Sequence, residues 1–170
     1  IQKIASVSSS RKRFMSRPVA GAVGAHVFIT LGSGDRERPL KLNYPYDQRV
    51  ENRFYAVIDR PYLQDDEVDL KARQTINLDG DTLVNAAQGL ASGAVITDYD
   101  GWYINLLDRG EQVVNQSAIG GGYVFFNTFQ PDGGGAGMCA NLGAAKAYRV
   151  PLFSPENDLG QKFGEGIPIP

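Results

Sequence analysis

The residues of this sequence that could carry chemistry are few: one histidine, one cysteine, two pairs of closely spaced carboxylates and two glycine-rich runs. A nucleophilic triad needs a base beside its nucleophile. His26 is the sole histidine and stands in an apolar run between Ala25 and Val27, so it reads as a packed or edge histidine. Gly32-Ser33-Gly34 lacks the Gly-x-Ser-x-Gly spacing of a nucleophile elbow. Tetrahedral zinc requires several His or Cys ligands, and one of each does not supply them. Cys139, the sole cysteine, has no intramolecular disulfide partner. The run Gly32–Glu37 begins like a dinucleotide loop, but its third glycine is missing and no helix is expected to follow it. Gly133–Gly137 lacks the lysine and Ser/Thr of a P-loop.

The carboxylate pairs are Asp79/Asp81 and Asp98/Asp100. On a strand, alternate positions share a face, a spacing that glycosidases exploit. Beside Gly80 and Gly101 both pairs read instead as turn formers. Asn77, Asp79 and Asp81 also alternate like oxygen ligands of an EF-hand loop. The glycine sits one place after the second ligand, however, and no terminal glutamate stands in register, so a polar turn is expected and not a metal site. In Asp35-Arg36-Glu37-Arg38 the aspartate suits backbone donors and the arginines suit carboxylates or carbonyls of neighbouring strands, which points to architecture. Trp102 reads as packing. Tyr44, Tyr46 and Tyr62 fall in loops and are the candidate contact residues, since tyrosine joins apolar area to a polar tip. No complete catalytic set emerges, and the expectation is a non-enzyme.

These residues hang on a series of short strands. His26–Leu31 and Asn52–Asp59 are β-branched and aromatic runs too short for typical helices. Tyr123–Phe129, Trp102–Leu106 and Ala144–Val150 are runs of the same kind, and Glu111–Ser117 and Ile4–Val7 predict shorter strands. Ala94–Thr97 predicts a brief strand, and Asp81–Gln88 a short helix capped by Asp81 and ended by Gly89. Twenty glycines and nine prolines in 170 residues suit a turn-rich β protein. The formal charge of −2 carries no electrostatic footprint for nucleic acid. Arg11-Lys12-Arg13, the only basic run, reads as a solvated loop. No segment reaches the ~18 apolar residues of a membrane span. No signal peptide opens the chain, which leaves export possible.

The pattern repeats. Val27-Phe28-Ile29 aligns with Val124-Phe125-Phe126, and Tyr55-Ala56-Val57 with Tyr148-Arg149-Val150. Each first strand follows a short apolar entry and a glycine turn, at Val19–Gly24 and Ala118–Gly122. The expected fold is all-β: about two blades of a β-propeller, each an antiparallel four-stranded meander, with Trp102–Leu106 outermost in the first. The divisions are a polar lead-in (1–16), a blade (17–107) with a long irregular insertion at about 60–97, a second blade (108–153), and a linker into a following blade (154–170). A propeller needs at least four blades, so a part of a larger protein is expected. A self-contained sandwich of about eight strands is the alternative.

The run Gly32–Leu40 followed by Val50–Val57 resembles the C-terminal propeller of PilY-type proteins, the type IV pilus tip-associated adhesins and assembly factors. Gly101–Leu106, Gly110–Val114, Val124–Pro131 and Gly166-Ile167-Pro168 fit the same resemblance, which covers roughly Arg17 to the end. It implies an exported bacterial protein at the cell surface, pilus tip or outer membrane that promotes pilus assembly, twitching motility and attachment. The implied partners are the rest of the parent propeller, minor pilins, and a host or abiotic surface. Some members carry a calcium loop in this propeller. None is recognised in this stretch, so no cofactor is expected here, with calcium possible elsewhere in a parent protein. The family often places cysteine in a glycine-rich run like 131–143, where this sequence has only Cys139. The competing functions are a quinoprotein-type oxidoreductase propeller and a stand-alone carbohydrate-binding sandwich.

Overall fold

A computed structural model describes residues 3–8, 12–35, 37, 50–59, 75–131, 143–154 and 167–169. Its first strands are β1 (Ala5–Ser6), β2 (Val19–Val23), β3 (His26–Gly32), β4 (Arg53–Asp59), β5 (Ile76–Asn77) and β6 (Val84–Asn85). They are followed by β7 (Gly101–Asn105), β8 (Gln112–Val113), β9 (Ala118–Gly120), β10 (Tyr123–Gln130), β11 (Ala144–Pro151) and β12 (Ile167–Ile169). The fold is all-β, with no α-helix among the described residues. Among the described residues, no sheet closes on itself.

The first sheet has the order β2-β3-β4-β7-β6, antiparallel throughout except for the parallel β6–β7 pair. The second has the order β12-β11-β10-β8, with β9 also paired to β10. Lead-in strand β1 pairs in parallel with β5 to form a small third sheet.

The hairpins opening both large sheets are alike. Val23 pairs with His26 across Gly24-Ala25, and Gly120 pairs with Tyr123 across Gly121-Gly122. Gly24, Gly121 and Gly122 all have positive φ (63°, 60° and 81°), the backbone that two-residue hairpins require and glycine adopts without steric cost. His26 and Tyr123 are therefore equivalent, and with them Phe28 and Phe125. In the next strand the equivalence differs from the sequence alignment. Val27 pairs with Asp59, whereas Val124 pairs with Val150, so Tyr148 stands opposite Val57 in the repeat and not Tyr55. A two-residue slip keeps every side chain on its own face, which is why the sequence pattern tolerates it.

Three expectations need correction. Residues 81–88 form no helix: Leu83 packs in one apolar cluster while Val84 and Ala86 pack in another, the two-faced alternation of a strand. Ile96–Asp98 is a 3-10 turn and not a strand, because the Asp98 carboxylate accepts the Val95 N–H and draws the chain round. The strand at Trp102 is not outermost, since β6 lies beyond it. In addition, Ile167–Ile169, read from sequence as the lead into another unit, pairs along β11.

The main core lies between the two large sheets. Phe28, Phe54, Ala56, Ile58, Trp102 and Ile104 of the first meet Val124, Phe126, Tyr148 and Val150 of the second. Phe54 and Phe126 stack with ring centroids 3.7 Å apart, and Phe126 stacks in turn on Tyr148 at 4.5 Å. The first sheet buries its other face as well. There Tyr55 and Val57 pack with Leu78 and Leu83, joined by Val7 and Phe14 of the lead-in.

Candidate functional site

Polar chemistry gathers at one edge of the contact between the sheets. Gly110, with φ 77°, turns the chain so that Glu111 enters the core only 2% exposed. A buried carboxylate is costly unless it is hydrogen-bonded and faces positive charge. Oε1 of Glu111 accepts from Thr128 Oγ1 (2.6 Å) and from Tyr148 O–H (2.8 Å), while Lys146 Nζ lies 3.6 Å from Oε2. Lys146 also donates to Asp108 at 2.5 Å. Burial works against the ammonium of Lys146, but the hydrogen bond to Asp108 and the charges of Glu111 and Asp108 outweigh it, raising its pKa above the usual lysine value.

The Glu111 main chain carries the network into the first sheet. Its carbonyl accepts from Asn52 Nδ2 (2.9 Å), Asn52 Oδ1 accepts from Ser33 Oγ (3.1 Å), and Ser33 Oγ accepts the Arg53 N–H (2.8 Å). Beside it the Val113 N–H donates to the Ser33 carbonyl and the Asp35 N–H donates to Gln112 Oε1. Asp35 in turn accepts from Arg13 at 2.8 Å, tying in the lead-in. Gly32 and Gly34 admit this approach: a Cβ on Gly34 would stand 2.5 Å from the Val113 carbonyl oxygen, and one on Gly32 would strike the Val113 side chain. Thr30 and Ser117 share a buried hydrogen bond of 2.8 Å further along the same contact. Such an arrangement joins two sheets.

Trp102 is wholly buried and donates from Nε1 to the Leu152 carbonyl (3.0 Å), spanning the two sheets from the opposite side. His26 lies beside the Phe153 ring, 6.0 Å centroid to centroid. Asp98 caps its own turn. Asp79 is spent on the lead-in: its Oδ1 accepts from Lys12 (2.6 Å) and lies 3.6 Å from Arg53, while Oδ2 accepts the Ser8 N–H (3.0 Å). Asn77 Oδ1 accepts from Ser8 Oγ and from the Asp79 N–H. A carboxylate already facing two cations does not suit calcium, and no group of three or more His, Cys, Asp or Glu among the described residues is placed to hold a metal ion. Lys12, read as part of a solvated loop, is instead the fastener of the lead-in, its side chain only 8% exposed.

Tyr44, Tyr46, Tyr62, Arg36, Arg38 and Cys139 lie outside the described residues. Two described aromatics are exposed: Phe153, beside His26 and Phe28, and Phe125, on the outer face of the second sheet. Phe125 is 42% exposed there, and Tyr123 beside it carries the Arg149 guanidinium 4.2 Å from its ring centroid. Sequence reasoning placed Glu111 at the start of a short strand and gave it no role, because its position there does not say that the carboxylate is buried. The available signal was on its partners: Lys146 and Thr128 are polar at positions that alternate in register with core residues.

No protein-family model matches the chain, and no curated protein matches it. Among solved structures, the crystal structure of the Pseudomonas aeruginosa PilY1 C-terminal domain is similar, with a TM-score of 0.54 and 15% sequence identity over 89% of this chain. The chain spans 34% of that domain's length. No helix of the described residues is long and apolar enough to cross a membrane. In fold, then, the chain is PilY1-like, resembling that C-terminal domain over the third of it that the chain spans.

Proposed function

We propose that this chain is a non-enzymatic module of type IV pilus biogenesis, part of a PilY-type C-terminal β-propeller that promotes pilus assembly and attachment to host or abiotic surfaces. The observation that carries the reading is the likeness in fold to the PilY1 C-terminal domain. The blade architecture draws further support from the way the sheets meet. A two-sheet sandwich turns one face of each sheet inward and leaves the other to solvent. Here the first sheet is covered on its other face too, where Tyr55 and Val57 lie under Leu78, Leu83 and the lead-in. The faces in contact are also non-equivalent under the repeat, Phe28 of the first sheet against Val124 and Phe126 of the second. Such head-to-tail packing propagates or closes into a ring.

The non-enzymatic part of the reading is supported by the use of the polar residues: Glu111, Asp35 and Asp79 all hold one piece of chain to another. The working location is the cell surface, at the pilus tip or outer membrane, and the partners are minor pilins and the attached surface. The test is deletion of the coding sequence in the source bacterium, with surface pili counted by electron microscopy and attachment measured on glass and on epithelial cells. Loss of pili and attachment, both restored by the intact gene, is the expected result. Unchanged piliation and attachment would overturn it, as would quinone-dependent dehydrogenase activity of the purified protein.

A further inference from the structure

The lead-in is fastened in two places. At the first, the Ile76 and Leu78 N–H groups donate to the carbonyls of Ile4 (3.0 Å) and Ser6 (2.7 Å), and the side chains of Asn77 and Asp79 take hold of Ser8 and Lys12. At the second, the Gly34 N–H donates to the Arg13 carbonyl (2.8 Å) and the Asp35 carboxylate accepts from the Arg13 guanidinium. The two fastenings are unequal. Lys12 and Asp79 meet with side chains only 8% and 19% exposed, whereas that of Arg13 is 52% exposed and its pairing is open to screening by solvent. Strand β1 adds little of its own, being two residues in a parallel pair. Beneath the lead-in, Val7 and Phe14 cover Tyr55, Val57, Leu78 and Leu83. The Tyr55 ring is wholly buried there and its hydroxyl finds no hydrogen-bond partner; burial, outweighing the nearby charge of Arg53, pushes the phenol's pKa up. An unpaired buried hydroxyl is costly, and opening the cover returns it to water.

We infer that the lead-in is a latched strap: residues 3–8 and 12–16 open and close as one unit, released through Asp79, while both large sheets stay folded. Three features give it this two-state behaviour. First, its apolar contacts are confined to the outer cluster around Tyr55, and none of its residues belongs to the core that the two large sheets share. Second, Asp79 joins both parts of the strap. Its Oδ2 accepts the Ser8 N–H and its Oδ1 the Lys12 ammonium, so loss of this one carboxylate frees β1 and the basic segment together. Third, the closed state carries costs that opening relieves. The Tyr55 hydroxyl is unpaired, and Lys12 and Arg53 are both drawn out of water to face the same carboxylate. Burial of Tyr55, Val57, Leu78 and Leu83 works the other way and reseals the strap.

Hydrogen exchange of the complete encoded polypeptide, read by peptide mass spectrometry, tests the strap independently of any role in piliation. The reporters are peptides carrying the Ser8, Ile76 and Leu78 amides, which bond across the strap, and the references are the amides of β3, β4, β10 and β11. Asp79→Asn is expected to speed exchange at the reporters at least about tenfold and to leave the references within about twofold. Lys12→Met supplies the same reading should Asp79→Asn not fold. Tyr55→Phe distinguishes a strap closed over an unpaired hydroxyl from an ordinary piece of core: exchange at the reporters is expected to slow by about threefold or more. Equal acceleration of reporters and references by Asp79→Asn would overturn the inference, because the lead-in would then unfold only with the sheets. So would reporter exchange unchanged by both Asp79→Asn and Lys12→Met, or left unchanged or made faster by Tyr55→Phe.

Discussion

Glu111 and Lys146 hold the most concentrated charge in the core, and each makes sense only in the presence of the other. The carboxylate takes two hydroxyl donors and faces the ammonium, which bridges to Asp108. Removing one partner of such a set strands the rest in a medium that solvates them poorly. The pKa of Lys146 is raised by its acidic neighbours, and that of Tyr55 chiefly by burial, so both groups bind their protons more tightly in the folded chain than in the unfolded one. Groups of this sign contribute stability that is complete below the unfolded-state values, about 10 for both residue types, and is lost as pH rises through the folded-state values. Urea unfolding followed by Trp102 fluorescence should therefore show stability falling above about pH 10. Lys146→Met is expected to lower stability at neutral pH and to shallow that alkaline decline. An unchanged slope would show that Lys146 titrates alike in both states. Lys146 itself was legible as an anomaly in an apolar alternation, but its partners Asp108 and Glu111 come from a distant segment, 38 residues away for Asp108, a distance that local pattern does not span.

At the scale of elements, the short strand β8 does more than its length suggests. It pairs with β10 in the second sheet while its Val113 N–H donates to Ser33 of the first. Gly32 and Gly34 make room for it. Val113 is β-branched and cannot swing aside easily, so Gly32→Ala forces strain between the sheets and should cost about 1–3 kcal/mol. Val113→Ala creates space at the same contact. The double variant is expected to be more stable than the sum of the two single losses by about 1 kcal/mol in a double-mutant cycle. Strict additivity would mean that the two side chains do not meet. Strong strands were legible as β-branched and aromatic runs, and β8 falls within the short strand expected at Glu111–Ser117, whereas β6 was read as part of a helix. A two-residue strand has no period of its own, and what makes Val84 a strand residue is the neighbour it pairs with.

For the molecule as a whole, the stack of Phe54, Phe126 and Tyr148 makes the two large sheets share one core. Phe126→Ala removes the middle ring and is expected to cost about 3–5 kcal/mol. Because the cavity lies between the sheets, both should lose hydrogen-exchange protection together, β3 and β4 as much as β10 and β11. Loss confined to β10 and β11 would show that the sheets are separate folding units.

From the sequence alone one could read the all-β class, the long strands, the repeated glycine hairpin and the shortage of histidine and cysteine for a tetrahedral zinc site, because each depends on residue type and short-range period. Tertiary structure decided the rest: that Lys12 and Asp79 fasten the lead-in, that Glu111 is buried, and that equivalent phenylalanines Phe28 and Phe125 differ in exposure. Residues with the same local pattern diverge when one face of a sheet meets another and the other face does not, and that pairing is made by chain segments far apart in sequence.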